Sequence, residues 1–402
     1  MKPWKKLLLL LLILILLSQI PFAYRRYKLG SLNVAIQQTN SQRVAIQDDF
    51  VEYKGAMHVH SFLGGHSTGN FDEIIAAAKS NQLDFVVMTE HPSKNFSTAE
   101  MTLKGVHAGV LFINGNEVTT AQADRLLVIP GNGSAAETDQ HSTQQVVTQA
   151  KDRNATVFVA YPEEFKSWDS ADYDGVEVYN VYTNAREINP IVMFFDGLWS
   201  YRSYPDLLFA AFYKRPAESL RRWDSAIATR KQRLVAVAGN DAHANVGLVL
   251  NDTSGDTLLG LKLDPYERSF RLVRVHVLIP NGSILDAETL REALAAGHCF
   301  IGFDLFSDSS GFRFTGSSLN ETRIQGDEIT LEREIRLNVT APISSRIVLR
   351  RDGNAIQTES GLNRKEFTVT ERGSYRVELY LPQLPGSASE KPWILSNPIY
   401  VK

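Results

Sequence analysis

The chain has 402 residues, too many for one ordinary domain, with 44% hydrophobic and 22% charged residues as in globular proteins. Its net charge of -3 gives no electrostatic reason to expect nucleic acid as a partner. The single cysteine, Cys299, excludes an intramolecular disulfide and a thiolate zinc site, and we expect two folded domains behind an N-terminal segment.

The first 28 residues predict a membrane anchor. An unbroken Leu/Ile run, Leu7–Leu17, extends with one interruption to Tyr24, an apolar span of about 18 residues that is near the lower limit for crossing a bilayer. Pro21-Phe22-Ala23 would be a poor cleavage site. We therefore predict an uncleaved signal anchor, with a cleaved signal peptide as the alternative.

The orientation of this span is not set by charge, because basic residues flank both of its ends. A single N-terminal span usually exports the large domain that follows, so we predict an extracytoplasmic domain tethered to the membrane. The alternative is a cytoplasmic domain behind a reversed anchor. Residues 29–50 are polar and rich in Gln, Asn and Ser, which predicts a linker between membrane and domain.

Residues 51–306 alternate between strand-like and helix-like patterns. The predicted strands are Ala56–His60, Asp84–Thr89, Val110–Ile113, Leu126–Ile129, Thr156–Ala160, Gly175–Val178, Leu234–Ala238, Phe270–Ile279 and Cys299–Phe303. The predicted helices are Phe71–Asn81, Ser142–Arg153, Ala287–Ala296 and most of 184–231. Repeated β-then-α units with buried apolar strands predict a parallel sheet. Seven or eight such units in about 250 residues favour a closed barrel over an open sheet.

From residue 307 the helical patterns end and short alternating strands begin. The clearest are Ile335–Thr340, Ile347–Arg351, Glu366–Val369 and Tyr375–Tyr380, and Asp352-Gly353-Asn354 is a hairpin turn signal. Residues 307–402 therefore predict a small all-β domain resembling a sandwich.

Histidines and carboxylates follow the predicted strands of the first region where each strand ends. They are His58, His60, His91, Glu117, Asp241 and His243, and His66 lies after a Gly-rich turn. Strand ends converge on one mouth in a βα barrel, whereas a lone His-x-His pair would be more typical of partly exposed side chains. Imidazole and carboxylate ligands without thiolate suit zinc, manganese or iron.

The set exceeds one tetrahedral site, so we predict two or more metal ions with Glu117 as a bridge. Such ions can lower the pKa of bound water from ~15.7 toward ~7, which supplies hydroxide at neutral pH. The sequence therefore predicts metal-assisted hydrolysis centred on Glu117, Asp241 and His243.

The ordered motifs resemble the PHP (polymerase and histidinol phosphatase) family. They are His58-Val-His60-Ser61, His66, Thr89-Glu90-His91, Glu117 and Asp241-Ala242-His243, all within residues 52–305. The resemblance implies a distorted, TIM-like (β/α)7 barrel that carries up to three zinc, manganese or iron ions. It also implies that one ion is held by His58, His60, Glu117 and Asp241 and another by His66, His91 and His243, with Glu117 bridging toward a third.

The chain departs from the family pattern at three points, and two of them, the missing histidines, reduce the expected number of ions to two. Tyr161-Pro162 stands where the family usually has His-Pro, no histidine follows the motif glutamate within residues 122–126, and Glu90 replaces the commoner Asp. Both missing histidines are ligands in trinuclear members. The segment Asp286–Asp304 and the ending Ser396–Val401 resemble the carbamate-hydrolase-like branch, which pairs the barrel with a C-terminal β-sandwich.

The predicted substrate is a small phosphoester, because a metal cluster suits an anion and phosphoester cleavage is the commoner activity that the resemblance implies. The alternatives are a carboxyl ester, amide or carbamate, or a catalytically silent metal-binding or ligand-binding module. Tyr161, Arg125, Glu177 and Asn180 are predicted to line the mouth and bind substrate. For the last three, a structural hydrogen bond or a surface ion pair is the alternative.

Overall fold

The computed structural model describes residues 2–46, 50–185, 189–210, 213–244, 247–251, 257–262 and 264–402. Within them lie ten α-helices: α1 Pro3–Asn40, α2 Phe71–Ser80, α3 Thr98–Met101, α4 Thr143–Lys151, α5 Val181–Ala185, α6 Pro190–Ser200, α7 Pro205–Phe209, α8 Ala217–Arg230, α9 Tyr266–Leu272 and α10 Ala287–Ala296. Parts of the predicted helical region 184–231, residues 186–188 and 211–212, lie outside the described residues.

The strands of the first region are β1 Phe50–Val59, β2 Phe85–Met88, β3 Gly105–His107, β4 Val110–Ile113, β5 Asn116–Thr119, β6 Arg125–Ile129, β7 Thr156–Ala160, β8 Gly175–Asn180, β9 Val235–Gly239, β10 Gly247–Asn251, β11 Thr257–Lys262, β12 Arg274–Pro280 and β13 Cys299–Gly302. Those that follow are β14 Arg313–Ser317, β15 Thr322–Ile324, β16 Glu328–Ile329, β17 Ile335–Arg351, β18 Asn354–Val369, β19 Gly373–Tyr380, β20 Pro392–Ser396 and β21 Ile399–Val401.

The fold is mixed α/β, and its strand pairings do not close into a barrel among the described residues. One path runs β15-β14-β17-β19-β20-β13-β12-β1-β2-β4-β3, and a separate sheet runs β5-β6-β7-β8-β9. Single bridges, Val59 to Ala242 and Glu90 to Asn116, join the two. The continuous closed barrel that the sequence favoured is therefore not shown.

The prediction of a parallel sheet is only partly right. β1, β2 and β4 pair in parallel, as do β7, β8 and β9, but β5 with β6, β6 with β7 and β1 with β12 are antiparallel. The connection explains the β5–β6 pair, because only a short loop separates these two strands. A parallel crossover needs a dozen or more residues.

The region after residue 306 contains strands and one short 3-10 helix, Gly386–Glu390, as its all-β prediction requires. Its strands continue the larger sheet through the β13–β20 pair. The predicted strands Ile335–Thr340 and Ile347–Arg351 form one continuous strand, β17, whose pairing register with β18 shifts between Thr340 and Ser345. The predicted turn at Asp352-Gly353 joins β17 to β18. The side-chain amide of Asn397 hydrogen-bonds the backbone N–H and C=O of Ala236 in β9, which ties this region to the β5–β9 sheet.

The N-terminal helix α1 runs through most of the segment predicted to be a polar linker. Its first half is exposed, with Leu7 at 66% and Leu17 at 53%, whereas Leu32 and Ile36 are buried at 8% and 9%. The latter two stand four residues apart on one helical face, and packing of that face stabilises the helix as far as Asn40. One helix in the described chain is long and apolar enough to cross a membrane, and a signal sequence would pass the same test.

The predicted strand Phe270–Ile279 is wrong in its first part, because α9 occupies Tyr266–Leu272 and only β12 is extended. Tyr266, Ser269 and Phe270 are all buried, at the spacing of one helical face.

Within β12, His276 bonds Glu52 Oε1 through Nδ1 at 2.8 Å and lies 3.2 Å from Asp304 Oδ2 through Nε2. Burial alone would lower the pKa of His276, but Asp304 and Glu52 outweigh it and raise that pKa to about 9. His276, Asp304 and Asp308 lie close enough together to form a metal site in principle. Because both ring nitrogens face carboxylates, Glu52 and Asp304, we interpret this group as structural.

Candidate metal centre

Four buried side chains meet at one point: His58 and His60 at the end of β1, Asp241 just after β9, and Glu117 inside β5 rather than after a strand as predicted. Glu117 Oε2 lies 3.1 Å from His58 Nε2 and 3.3 Å from His60 Nε2. Asp241 Oδ1 lies 3.5 Å from each of the same two nitrogens. Tetrahedral ligands with bonds of ~2.1 Å stand ~3.4 Å apart, so these four atoms have the spacing of a metal's first coordination shell.

Backbone hydrogen bonds between β1 and the loop after β9 bring these residues together. The amide of His60 donates to Ala242 O at 3.0 Å, and the amide of Ala242 donates to His58 O at 3.2 Å. His58 and Asp241 have φ angles of +61° and +47°, and Tyr161 has +49°. Non-glycine residues rarely adopt this left-handed region, and such strain concentrates at functional sites.

A second group combines His60 with His91 and His243. The ring of His60 stacks on each of the other two, with centroids 4.6 Å from His91 and 4.3 Å from His243, and the latter two centroids are 6.2 Å apart. His91 Nδ1 is 3.6 Å from Glu117 Oε2, so this carboxylate oxygen faces both groups, as a bridging ligand would. His66 stands outside the group, with its ring 5.1 Å from that of His91, and lines the adjoining cleft.

The electrostatics of the cluster favour a cation. Burial disfavours charge on His58, but Glu177, Asp241 and Glu117 outweigh it and hold its pKa well above the usual value. Burial would raise the pKa of Glu117, but His58 and His60 hold it well below the usual value. The carboxylates that attract protons to these imidazoles would equally attract a divalent metal ion, which displaces the protons.

The two histidines that stack on His60, namely His91 and His243, are neutral at pH 7. Burial, reinforced by His60, lowers the pKa of His91 to about 3 and that of His243 to about 4. A neutral imidazole offers a lone pair, as a metal ligand must.

Three buried atoms of the cluster have no hydrogen-bond partner among the described residues: both ring nitrogens of His60, and Asp241 Oδ1. Buried polar groups are nearly always satisfied, and each exception requires an explanation. A metal ion at this position would satisfy His60 Nε2 and Asp241 Oδ1 together. The donor set, two imidazoles and two carboxylates without sulfur, therefore fits zinc, manganese or iron.

Glu177 and Asn180, predicted to line the mouth, lie beneath the four candidate ligands instead. Glu177 is fully buried, and its Oε1 accepts from His58 Nδ1 at 2.6 Å. Asn180 Nδ2 donates to Glu177 Oε2 at 3.1 Å. Gly239 makes room for this carboxylate, since a Cβ there would stand 1.6 Å from Glu177 Oε1. Glu177 thus fixes the tautomer of His58 that leaves Nε2 free for a metal.

Tyr161 and Arg125 do face the cleft, a space of about 490 Å³. The hydroxyl of Tyr161 donates to Asp241 Oδ2 at 2.6 Å. The guanidinium of Arg125 lies 3.0 Å from Glu117 Oε1, and its side chain is 42% exposed. Lys94, which the sequence did not single out, lies at the same cleft. Arg125 beside Glu117 and Lys94 elsewhere in the lining give the cleft two cationic side chains, which suit an anionic substrate.

Glu90 holds the loop after β1, which carries His60, from behind and is absent from both groups of candidate ligands. Its buried carboxylate accepts from the backbone and hydroxyl of Ser61 and from the hydroxyl of Thr102. Sequence reasoning noted Glu90 only as a departure from the usual Asp. Its place directly before His91 was the signal for this positioning role.

Comparisons with known proteins add little. No model of a protein family matches this sequence, and no curated protein matches it. Solved structures similar to it include PsfC from Pseudomonas syringae PB-5123, with 13% identity, a TM-score of 0.36, and coverage of 63% of this chain and 91% of that one. They also include Endonuclease Q in complex with a duplex carrying an abasic lesion, with 12% identity, a TM-score of 0.34, and coverage of 61% and 56%.

A third is a proposed metal-dependent phosphoesterase from Bifidobacterium adolescentis, with 13% identity, a TM-score of 0.32, and coverage of 60% of this chain and 95% of that one. These three names lend no support to the carbamate-hydrolase branch. Likenesses this weak do not establish a shared fold or activity, so the cluster itself remains the basis for assigning a function.

Proposed function

We propose that this chain is a metal-dependent hydrolase of the PHP type that cleaves a small phosphoester. The observation that carries the proposal is the buried cluster of His58, His60, Glu117 and Asp241, with ligand-like spacing and unsatisfied atoms that face one another. Two divalent ions, zinc, manganese or iron, would be held there, the second by His91 and His243 with help from His66. The two sheets of the first region would correspond to a distorted (β/α)7 barrel. The catalytic domain would cover residues 51–306, and a sandwich-like domain would cover residues 307–402.

Metal ions bound at this centre would activate water as a nucleophile and polarise the phosphoryl group. The protein's own residues supply position. Tyr161 fixes the carboxylate of Asp241, and Arg125 presents a partly exposed guanidinium beside Glu117, where it can bind phosphate oxygens in bidentate geometry. His243 faces the cleft with its side chain 14% exposed, close to where the reacting atoms would lie. Glu117, Asp241 and His243 are therefore the proposed catalytic residues.

The test combines elemental analysis with a substrate screen. Purified protein should carry zinc, manganese or iron, and phosphomonoesters, phosphodiesters, carboxyl esters and carbamates are offered to wild type, His58→Ala and His107→Ala. His107 lies outside the cluster, on the short strand β3, and serves as a matched control. We expect His58→Ala to lose metal and phosphoester turnover by more than ~100-fold, and inorganic phosphate to inhibit wild type competitively.

Two results would redirect the proposal. Turnover of carbamates together with indifference to phosphate would favour the carbamate-hydrolase-like alternative. Bound metal without turnover above His58→Ala would favour a catalytically silent module, the alternative that Tyr161 at a usual histidine position supports. Metal-free protein that no added ion activates would refute the proposal outright.

We further propose that α1 anchors the protein and that the catalytic domain is extracytoplasmic. The span Leu7–Tyr24 would extend about 27 Å at 1.5 Å per residue, close to the thickness of the hydrocarbon core. Protease added to intact cells or spheroplasts should degrade the domain. Protection until lysis would show a reversed anchor, and a mature mass lacking the first ~25 residues would show a cleaved signal peptide.

A further inference from the structure

Helix α6 presents its apolar side to solvent and its polar side to the protein. Ile191, Phe194 and Leu198 are 67%, 56% and 68% exposed. Their spacing of three and four residues places them on one helical face. Asp196 and Ser200, in contrast, are buried. This is the reverse of the pattern of a surface helix on a protein that lies in water.

The helix packs against α1 just past the end of its Leu/Ile run. The ring of Phe195 lies 5.0 Å from that of Phe22, and the indole N–H of Trp199 donates to Gln19 Oε1 at 3.1 Å. Asp196 pairs with Arg25, with 2.6 Å between Oδ2 and the guanidinium nitrogen. The contacts of α6 thus fall on the last residues of the predicted span, Gln19 and Phe22, and on Arg25 directly after it.

We propose that Ile191, Phe194 and Leu198 insert into the membrane leaflet from which α1 emerges, as a second contact with lipid. Contiguous exposed apolar patches mark binding surfaces, and an apolar helical face beside a spanning helix meets acyl chains first. Trp199, with its apolar ring and polar N–H, has the chemistry of the membrane interface.

Arg25, Arg26 and Lys28 follow the span of α1 directly, at the level of lipid phosphates. This proposal rests on the membrane insertion of α1 and is independent of the hydrolase assignment. A domain held at α1 and at α6 would keep a fixed face toward the bilayer, which a flexible linker could not impose.

The test measures lipid contact at single labelled positions in the full chain. Cys299, the native cysteine, is fully buried, so an introduced surface cysteine can be labelled selectively. An environment-sensitive fluorophore is placed at Ile191→Cys, at Leu319→Cys and at Leu12→Cys. Leu319 is a matched apolar control, 91% exposed and located in the C-terminal β region, and Leu12 reports the anchor. Each protein is reconstituted in phosphatidylcholine vesicles with or without brominated lipid.

We expect brominated lipid to quench the label at Ile191→Cys at least ~2-fold more than at Leu319→Cys. Adding Phe194→Asp should remove most of that difference and leave quenching at Leu12→Cys unchanged. Equal quenching at Ile191→Cys and Leu319→Cys, with Leu12→Cys quenched, would overturn the proposal. Self-quenching at Ile191→Cys that rises with the protein-to-lipid ratio would also overturn the proposal, because a second copy of the protein would then cover the apolar face of α6. No quenching at Leu12→Cys would instead refute the anchor.

Discussion

Glu177→Gln should weaken metal binding although Glu177 is not itself a ligand. The carboxylate accepts from two donors, His58 Nδ1 at 2.6 Å and Asn180 Nδ2 at 3.1 Å. An amide must turn its NH2 toward one of them. If it faces His58, then Nδ1 becomes the acceptor and the ring proton moves to Nε2, the nitrogen that should bind the metal. If it faces Asn180, two donors oppose each other in a fully buried site.

The expected magnitude follows from that geometry. Loss of a carboxylate that orients a metal-bound histidine typically costs 10–100-fold in metal affinity, which corresponds to about 1.4–2.7 kcal/mol. Competition with a chromophoric chelator measures the affinity, and Glu288→Gln is the control, since Glu288 lies at the surface, where it pairs with Arg291 and accepts from Asn154, and its side chain is 57% exposed. A Glu177→Gln protein that binds metal within ~3-fold of wild type would refute the positioning role.

Three further outcomes follow from the same contacts. Arg125→Gln should raise KM for a phosphoester ~10–100-fold at unchanged metal content, since a charge-assisted bond contributes about 1.5–3 kcal/mol, and an unchanged KM would exclude Arg125 from binding. Gly239→Ala should lower both metal content and the unfolding temperature, because its methyl group would stand 1.6 Å from Glu177 Oε1. Gly197→Ala, which meets nothing within 4 Å, is its control. For His276, the raised pKa of about 9 means that its stabilising effect is complete below pH 6.5 and is lost as pH rises through 9. Thermal unfolding of wild type and His276→Gln should therefore converge over that window by on the order of 3 kcal/mol, and a constant difference would contradict this.

Helices and strands were predictable where the residue pattern agreed with the capping and turn residues at its ends. Thr156–Ala160 and Ala287–Ala296 have the predicted bounds, the latter because Asp286 caps the helix and Gly297 ends it in the left-handed conformation. Prediction failed where packing overrode composition. Residues 30–40 look like a polar linker, but burial of Leu32 and Ile36 against the body of the protein holds them helical.

The meeting of ligands could be predicted because their types are rare and their positions ordered. His58, His60, Glu117 and Asp241 are spread over more than 180 positions of the sequence and still converge within the reach of one ion. Their distinct neighbours could not be predicted. A positive φ at His58 or Asp241 has no sequence signal, since that conformation is normally signalled by glycine.

The position of Glu177 shows why strand ends alone misplace a residue. All six residues of β8 are buried, so alternation along the strand does not say which side chains face the cleft and which lie beneath it. The deciding residue is Gly239 on the neighbouring strand, whose missing side chain leaves the space that Glu177 fills under His58. Sequence inspection treats Glu177 and Gly239 as unrelated, and only the β8–β9 pairing brings them together. Glu177, a carboxylate that could have bound substrate, therefore supports the candidate ligand His58, and its removal should appear first in metal affinity rather than in KM.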